Sequence, residues 1–443
     1  LPECGRKAPV FRHGDVSPPA PQGRINAQAL CLTFQHKFII ILSVMLILEY
    51  KAYGKDAQFA SVDEAIRVAQ FIRNKALRYW MDNPGVGKYD LSKQCAVLAA
   101  EYDFANRLNS QARQAAAERA WSAIARFYDN CKKKIKGKKG YPQFKKNVRS
   151  VEYKTTGWKL SEDRKSITFT DKCGIGTLKM KGTRDLLFYH PSLIKRVRLV
   201  KRADGYYVQF AVDADRKEPL PATGKTVGLD VGLQEFYTDS RGHKEENPRF
   251  LRKAEKQLKR LQRRVSRKQK GSNNRRKAVN RLARKHLKVQ RQRKDHAIKL
   301  ARCVIQSHDL VAFEDLRISN MVRNHCLATS IHDASWYQFR TWLEYYGKVY
   351  GRVVMAVPPQ YTSQACSECG CRVVKTLSTR THKCPECGYA ADRDENAARN
   401  ILSLGLYTAG QAGIYAWGEG ASTSETAMCS EASQLAEPRI PRL

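Results

Sequence analysis

The stretch TVGLDVGL, residues 226–233, is the part of the sequence around which the fold is organised. Its apolar residues Val227, Leu229 and Val231 alternate along the chain, which is typical of a short buried strand. The pattern sets one carboxylate, Asp230, in the middle of that strand. Burying a charge costs several kcal/mol unless a partner offsets it, and no Lys or Arg lies within four residues of Asp230. We therefore expect a metal ion or a distant group as its partner.

Two more acids, far from the first in sequence, occupy comparable places. Glu314 ends the apolar run DLVAFED, and Asp394 lies in ADRDENAARN, just before a helix predicted over 396–404. Taken singly, each has a structural explanation, since Asp394 could cap that helix and Glu314 could pair with a distant arginine. Asp230 has the weakest explanation of this kind. Together the three acids predict one hydrolytic site, in which carboxylates hold two divalent ions for phosphodiester cleavage.

The composition points to a polyanionic partner. The chain has 443 residues, with 80 Lys and Arg against 42 Asp and Glu, and a formal net charge of +38. A surplus of that size is the electrostatic footprint of a polyanion binder. An anionic membrane is the competing partner, but the sequence shows no long amphipathic helix with a lysine-rich face. Nucleic acid is therefore favoured, on a chain long enough for roughly two to four domains.

Cysteine usage and the longest apolar run bear on the compartment. The 13 cysteines are mostly scattered singly, which indicates a reducing compartment rather than a disulfide framework. The apolar run over 38–48 is too short to span a bilayer, and we interpret it as a strand. No membrane partner is expected.

Three basic stretches carry the candidate nucleic-acid contacts. Apolar residues recur at helical spacing over 63–81, which predicts a packed helix. The connector KKKIKGKKGYPQFKKN, residues 132–147, interleaves aromatic residues with cations, as suits bases beside phosphates, although a charge run is often only a solvated face. Residues 251–294 hold 20 Lys or Arg and one acid and predict two basic helices, joined near 271–274, that neutralise phosphates. The candidate contacts are Arg67, Arg73, Lys75, Arg78 and Tyr79 in the first helix, Tyr141, Phe144 and Lys145 in the connector, and Arg263, Arg264 and Arg267 in the basic helices.

The hydrophobic period switches to two over residues 150–215, which predicts antiparallel strands with a hairpin turn at Asp204-Gly205. With a further strand near Met45, these strands predict a small β-barrel or sandwich that the helices interrupt. Pro219-Leu220-Pro221 and Gly224 then mark a domain boundary.

The later part of the chain alternates helix and strand. The pattern predicts a helix over 298–305, a strand over 309–313, a helix over 333–347 and a strand over 351–357. Strand, helix and strand in this order predict an α/β layer that carries the acids at its edges.

Four cysteines form two short pairs, Cys366 with Cys369 and Cys384 with Cys387. Four thiolates at this spacing suit tetrahedral zinc, with sulfurs about 2.3 Å from the ion. Because four ligands close the coordination shell, we expect the ion to be structural. Redox pairs are the alternative, and the twin arrangement counts against them. Cys371 is a spare thiol whose spacing fits less well.

Five segments of the sequence resemble one known family. They are VGLDVGL (227–233), VAFEDLRISNM (311–321), PPQYTSQACSECG (358–370), HKCPECGYAADRDENAARNI (382–401) and YAWGEG (415–420). They look like TnpB, the RNA-guided nucleases carried by insertion sequences, also known as OrfB-type transposases and related to compact type V CRISPR effectors. The resemblance covers roughly residues 45–420.

The resemblance implies an α/β multidomain fold. A RuvC nuclease domain of the ribonuclease-H-like fold, with an inserted zinc ribbon, would follow a wedge β-barrel that holds a helical recognition insertion. Residues 1–44, rich in Pro, Gly and polar residues, are expected to be a disordered leader, which departs from the family pattern as Cys371 does. The boundaries expected for the rest are 45–59 for the first strand of the wedge barrel, 60–135 for the helical insertion, 136–222 for the rest of the barrel, 223–362 for the first part of the nuclease, 363–390 for the zinc ribbon, 391–408 for the second part of the nuclease and 409–443 for a disordered tail.

The resemblance also implies the site and the partners. The family's catalytic acids fall on Asp230, Glu314 and Asp394, with Asp394 rather than Asp392 in the third place, and these acids would bind Mg²⁺. The partners would be a guide RNA transcribed from the end of the element and double-stranded target DNA with a short flanking motif. A monomer in the cytoplasm, associated with the nucleoid, is expected. Two alternatives stay open: a strand-transfer transposase that uses the same acids, and a zinc protein that only binds nucleic acid.

Overall fold

The computed structural model describes residues 45–135, 137–214, 216–376 and 379–411. The predicted leader, 1–44, lies outside this part, as do the YAWGEG motif and residues 412–443 of the predicted tail. Residues 409–411, which the sequence analysis placed in the tail, belong to the last helix. None of the helices described here is both long and apolar enough to cross a membrane.

Seven antiparallel strands form the first sheet. They are β1 (Leu46–Tyr53), β2 (Ser150–Tyr153), β3 (Trp158–Leu160), β4 (Ser166–Phe169), β5 (Gly176–Lys181), β6 (Ile194–Arg202) and β7 (Gly205–Val212). Their order is β2-β6-β7-β1-β5-β4-β3, so the described strands leave β2 and β3 at opposite edges. The sheet is a half-barrel, where the sequence predicted a small β-barrel or sandwich. The edge strands have only four and three residues, which limits the hydrogen bonds that a closing pair could form.

A helical insertion separates β1 from β2 in the chain and packs on the half-barrel. Its helices are α1 (Asp56–Asp82), α2 (Lys88–Glu101), α3 (Asp103–Arg107) and α4 (Ser110–Lys132). The buried face of α4 consists mainly of alanines, whose small side chains permit close helix packing. Apolar residues of the insertion and of the sheet share one core.

Arg73 lies in this core, and the prediction that it faces a phosphate was wrong. It follows the fully buried Ile72, and only 7% of Arg73 is exposed. Its Nη1 donates hydrogen bonds to Asn74 Oδ1 at 3.2 Å and to the carbonyl oxygen of Gln143 at 3.4 Å. Burial lowers the pKa of Arg73 below its usual value. The guanidinium therefore ties the insertion to the connector, whereas Arg67 on the same helix is exposed.

A second sheet of five strands follows the boundary at residues 219–224. Its strands are β8 (Thr226–Val231), β9 (Glu235–Asp239), β10 (Lys244–Glu246), β11 (Leu310–Glu314) and β12 (Val353–Val357), in the order β10-β9-β8-β11-β12. Strands β8, β11 and β12 are parallel to one another, whereas β8, β9 and β10 are antiparallel. Because parallel strands end at the same edge of a sheet, β8 and β11 deliver Asp230 and Glu314 to neighbouring places.

Six helices accompany this sheet: α5 (Phe250–Ser266), α6 (Asn273–Ser307), α7 (Ile318–Met321), α8 (His325–Ala334), α9 (Trp336–Tyr350) and α10 (Arg393–Gln411). Two predicted boundaries were wrong. The second basic helix and the apolar helix over 298–305 are one helix, α6, whose end is buried in the core. The helix predicted over 333–347 is divided at Ser335, which has a φ of 58°. A short pair of strands, β13 (Thr381–Lys383) and β14 (Ala390–Asp392), precedes α10.

Gly228 lets α10 approach the central strand closely. A Cβ atom at this position would lie 2.1 Å from the carbonyl oxygen of Ala398 and 2.7 Å from the amide nitrogen of Leu402. Both atoms belong to the helix backbone, which cannot turn aside as a side chain can. Gly405 of α10 also permits a close approach to the sheet, because a Cβ added there would lie 2.5 Å from Ala312 Cβ on β11. The first glycine of TVGLDVGL therefore sets the distance between the sheet and the helix that carries Asp394.

We expect Gly228→Ala to lower the free energy of unfolding by about 3 kcal/mol, at the upper end of the usual cost of overpacking, because the clash is with backbone. Thermal unfolding followed by circular dichroism measures this effect. Gly87→Ala is the control, since an added Cβ there meets nothing closer than 3.6 Å. Equal stability of the Gly228 variant and the wild type would contradict the close packing of α10 on β8.

Candidate active site and four-cysteine cluster

Asp230 and Glu314 lie side by side at the carboxyl ends of β8 and β11. Leu229 pairs with Phe313 in the parallel register, so the next residue on each strand is one of the two acids. Burial raises the pKa of Asp230 well above its usual value, and the carboxylates of Glu314 and Asp394 raise it further. Burial also raises the pKa of Glu314, against the effect of a hydrogen bond from Thr362. The two acids thus form a crowded, poorly solvated pair.

Asp394 reaches the same region from the first turn of α10. Its charge raises the pKa of Asp230, after the larger effects of burial and of Glu314. Arg393 Nη2 donates to Asp394 Oδ1 at 2.7 Å, and Arg380 Nη1 lies 3.6 Å from Asp394 Oδ2. The structure therefore brings together the three acids singled out in the sequence, although they come from three separate elements.

The three carboxylates are more widely spaced than a set of ligands already gathered around one ion. Among the described residues, only the four cysteines form a group of His, Cys, Asp or Glu whose ligand atoms all lie within 4.8 Å of one another. Like charges repel at short range, and the arginines hold Asp394. A cation between the acids would offset that repulsion.

Asp392 performs the capping role that the sequence analysis left open for Asp394. Its Oδ1 accepts hydrogen bonds from the amides of Asp394 at 2.9 Å and Glu395 at 3.4 Å. Its Oδ2 pairs with Lys244 Nζ at 2.7 Å. The helix accordingly begins at Arg393, earlier than predicted. Asp392 therefore caps the helix and Asp394 does not, so helix capping does not explain the presence of Asp394.

Two asparagines that the sequence analysis missed join α10 to the segment before the cysteines. Asn396 is fully buried; its Oδ1 accepts from the amide of Ser367 at 3.0 Å and its Nδ2 donates to the carbonyl oxygen of Ala365 at 2.7 Å. Asn400 Nδ2 donates to the carbonyl oxygens of Thr362 and Ala365, both at 2.8 Å. We call these bonds the asparagine latch. A spacing of four residues, which puts both amides on one helix face, was the signal available in the sequence.

The latch fixes Thr362, which in turn holds a catalytic candidate. Thr362 is 5% exposed, and its Oγ1 donates to Glu314 Oε1 at 2.6 Å. The neighbouring Tyr361 has a φ of 65°, a backbone conformation that is uncommon for a bulky residue. Its ring packs under the guanidinium of Arg372 at 3.8 Å. This turn therefore connects β11, α10 and the cysteine segment at one point.

The four predicted cysteines converge into one cluster. The Sγ atoms of Cys366 and Cys387 are 3.7 Å apart, and those of Cys369 and Cys384 are 3.6 Å apart. All four lie within 4.8 Å of one another. A tetrahedron of sulfurs about 2.3 Å from zinc has edges of about 3.8 Å, so the spacing is that of a four-cysteine zinc site.

The two turns that present these sulfurs are built alike. In the first, the amide of Cys366 donates to the carbonyl oxygen of Cys371, and the amide of Gly370 donates to that of Cys366, both at 2.9 Å. In the second, Cys384 and Gly388 make the equivalent bonds, at 2.8 and 3.2 Å. Both glycines have positive φ, 76° and 74°, which favours glycine. Cys371 contributes its backbone to a turn and stays outside the cluster.

The predicted nucleic-acid contacts differ in how accessible they are. Arg78, Tyr141, Phe144, Lys145, Arg263, Arg264 and Arg267 are exposed, whereas Lys75 and Tyr79 are partly buried. Lys75 Nζ lies over the rings of Phe71 and Tyr102, 5.6 and 5.3 Å from their centroids. Their binding to nucleic acid stays a prediction.

Comparison with known proteins places the chain among its relatives. A family profile named OrfB_IS605 and described as "Probable transposase" matches residues 209–325, and a second, described as "Cas12f1-like, TNB domain", matches residues 336–401. A Streptomyces pristinaespiralis protein named "Putative RNA-guided DNA endonuclease" is 31% identical over 409 residues, which cover 89% of this chain and 98% of the relative. The chain belongs to the TnpB family. The resemblance of the sequence motifs is thereby confirmed.

Other TnpB relatives agree with this assignment. The Escherichia coli protein named "Putative RNA-guided DNA endonuclease InsQ" is 31% identical over 299 residues, 64% of this chain and 72% of the relative. Among solved structures, a Cas12f1–sgRNA–target DNA complex has a TM-score of 0.50 at 14% identity, covering 79% of this chain and 83% of the Cas12f1 chain. That likeness shows that this TnpB chain shares the mixed α/β fold of the compact Cas12 effectors.

Proposed function

We propose that this TnpB chain is a transposon-associated RNA-guided DNA endonuclease that hydrolyses phosphodiester bonds of target DNA in a RuvC-like site. The observation that carries the chemistry is the pairing of Asp230 and Glu314 at the carboxyl ends of β8 and β11, with Asp394 acting on Asp230 from the first turn of α10. The order of strands in the second sheet supports a ribonuclease-H-like nuclease domain. Full-length similarity to relatives named as RNA-guided DNA endonucleases supports the choice of substrate.

The acids fit divalent cations. Carboxylate oxygens are the ligands that Mg²⁺ prefers, and the pKa of Asp230 is raised first by burial and then by the neighbouring charges of Glu314 and Asp394, both of which a bound cation would offset. Bound Mg²⁺ would supply Lewis-acid stabilisation and lower the pKa of a bound water. The chain itself holds the Glu314 carboxylate through Thr362 and orients Asp394 through Arg393. Asp230 lies on the central strand, and the charges of both other acids act on its pKa.

We propose zinc for the four-cysteine cluster, in a structural role, because all four ligand positions are filled by sulfur. The cluster is joined to the catalytic helix by the asparagine latch. The ion would then stabilise the turn that holds Glu314. This arrangement explains why a zinc ribbon lies between the second and third acids in the chain.

Guide RNA and double-stranded DNA are the proposed partners. The basic helices α5 and α6 and the net charge of +38 suit phosphate backbones. In RNA-guided effectors, base pairing supplies sequence choice, while the protein reads shape and a short flanking motif. A monomer acting on nucleoid DNA in the cytoplasm, and the domain boundaries given above with the half-barrel as the wedge domain, complete the proposal.

The deciding experiment starts with the RNA that co-purifies with the full chain expressed beside its native flanking DNA. We expect one RNA species that matches the flank. Replacing its guide segment should move Mg²⁺-dependent cleavage to a new DNA target that carries the flanking motif. Cleavage that ignores the guide would contradict RNA guidance, and products in which the cut ends are joined to a second DNA would favour a strand-transfer transposase.

We expect Thr362→Val to slow cleavage about 10- to 100-fold, the usual effect of losing a group that orients a metal ligand. The valine keeps the shape of the side chain but loses the hydrogen bond to Glu314. Weaker Mn²⁺ binding, measured by titration calorimetry, should accompany the slower cleavage.

Thr362→Ser is the matched control, because it keeps the hydroxyl and should restore both quantities. A purely structural role for Thr362 predicts a lower melting temperature with unchanged Mn²⁺ affinity, which would contradict the positioning role.

A further inference from the structure

A cavity of about 360 Å³ lies between the half-barrel and the helices that pack on the second sheet. Its lining comes from the loop between β5 and β6, the segment between β7 and β8, and helices α6 and α9. The volume falls in the range of small-ligand pockets. It is apart from the three acids and the cysteines, none of which lines it.

Three arginines, Arg184, Arg216 and Arg302, line this cavity. Arg216 is already paired with Glu218, through bonds of 2.8 and 2.9 Å. Arg184 and Arg302 are exposed, and within the described part of the chain no hydrogen bond or ion pair engages either guanidinium. Arg216 is the main cause of the lowered pKa of Glu218, and the charges of Arg302 and Arg184 lower it further. Two exposed guanidinium groups with free N–H donors therefore lie near one pocket, an arrangement that suits a phosphate.

Aromatic rings form the rest of the wall. Phe188 is 84% exposed. Such exposure is unusual for an aromatic side chain in a loop whose backbone is fixed by hydrogen bonds. The loop is held because the guanidinium of Arg164 donates to the carbonyl oxygens of Leu186 and Tyr189. Tyr346 of α9 also lines the cavity and is buried. An exposed ring on a fixed loop offers a face for base stacking, which is tolerant of base identity.

Two carboxylates in the lining favour a ribonucleotide over a deoxyribonucleotide. Asp185 and Glu218 would repel a phosphate but accept hydrogen bonds from hydroxyl groups. Glu218 is fixed, because its amide donates to the carbonyl oxygen of Val349 at 2.7 Å. A ribonucleotide offers a 2′-hydroxyl donor that a deoxyribonucleotide lacks. Cations, an exposed ring and hydroxyl acceptors together match the three parts of a ribonucleotide.

We propose that this cavity binds one unstacked ribonucleotide of the guide RNA, with its phosphate at Arg184 and Arg302, its base on Phe188 and its ribose at Asp185 and Glu218. The inference rests on the proposed function, because it requires a bound RNA. The pocket would fix the register of the RNA between the half-barrel and the nuclease layer. Charge alone could not fix this register, because phosphate contacts are the same along the strand.

The test is ultraviolet crosslinking of the full chain with its co-purifying RNA, followed by mass spectrometry of the peptides. We expect a ribonucleotide adduct at Phe188 or Tyr189 that arises from one position of the RNA. The Arg184→Ala/Arg302→Ala double variant should lose this adduct and hold the RNA about tenfold more weakly. The Lys159→Ala/Lys172→Ala variant removes the same charge from exposed positions of the half-barrel, outside the basic helices, and should keep the adduct.

The outcomes separate the two proposals. A chain that retains RNA but shows no adduct in the pocket, or shows a deoxyribonucleotide adduct there, would overturn the pocket and leave the endonuclease standing. An adduct that survives the Arg184/Arg302 variant would overturn it as well. A chain that retains no RNA would overturn the proposed function itself, and the pocket with it.

Discussion

Asp230→Asn is expected to slow DNA cleavage about a thousandfold or more, while the folded chain still binds its RNA. Asparagine keeps the size of the side chain but removes the central negative charge of the three acids. Losing several kcal/mol of metal-dependent stabilisation of the transition state corresponds to a rate loss of that order. Single-turnover cleavage with Mg²⁺ in excess measures it. Cleavage at the wild-type rate would contradict the assignment of the site.

The same substitution should raise the melting temperature in the absence of divalent ions. Asp230 is buried beside two other carboxylates, which is why its pKa lies above the usual value. Removing one of three crowded charges relieves repulsion that the fold otherwise has to overcome. Residues selected for catalysis commonly cost stability in this way.

Asp392→Asn is the matched control for charge removal in the same region. Asparagine keeps a side-chain oxygen that can cap α10 and loses only the partly exposed ion pair of Asp392 with Lys244. We therefore expect this variant to keep a melting temperature close to that of the wild type and cleavage within about tenfold of it. A large loss of cleavage in the Asp392 variant, with little in the Asp230 variant, would exchange their roles.

Cys384→Ser is the second substitution with a large expected effect. We expect zinc content to fall from about one ion per chain to none, because structural zinc sites bind with about 10–16 kcal/mol and need all four sulfurs. Without the ion, the two turns lose their common anchor, and the asparagine latch no longer fixes Thr362 beside Glu314. Cleavage should be lost, whereas RNA binding through α5 and α6 should persist. Metal analysis and cleavage of the same sample measure both.

Cys371→Ser separates zinc binding from thiol chemistry. The Cys371 thiol lies outside the group of four sulfurs, although it contacts Cys384, and its backbone takes part in the turn. We therefore expect full zinc content and full cleavage in this variant. If the Cys384 variant kept its zinc, or if the Cys371 variant lost it, the ligand set would be wrong.

The sequence predicts a feature well when its determinants are close together in the chain. Each cysteine pair lies within four residues, so spacing alone picked out the four cysteines whose sulfurs converge. Asp230 and Glu314 were identifiable because each interrupts or ends an apolar run that had to be a buried strand. The parallel pairing of β8 with β11, which makes the two acids neighbours, followed only from the fold.

Three features were not predicted correctly from the sequence, each for a physical reason: the two asparagines, the length of α6 and the burial of Arg73. Asn396 and Asn400 bind main-chain atoms 29 to 38 residues away, and a sequence does not reveal backbone acceptors at that distance. Helix α6 was divided because its composition changes from basic to apolar, although no Gly or Pro interrupts it. Arg73 was misplaced because a helical stripe defines a buried face only to within one residue.

The most direct test of the account is anomalous X-ray diffraction from crystals of the chain soaked with Mn²⁺, a scattering substitute for Mg²⁺. We predict a peak bounded by the carboxylates of Asp230, Glu314 and Asp394, which disappears in Asp230→Asn crystals. A cleavage-competent protein with no manganese among these three acids would contradict the account.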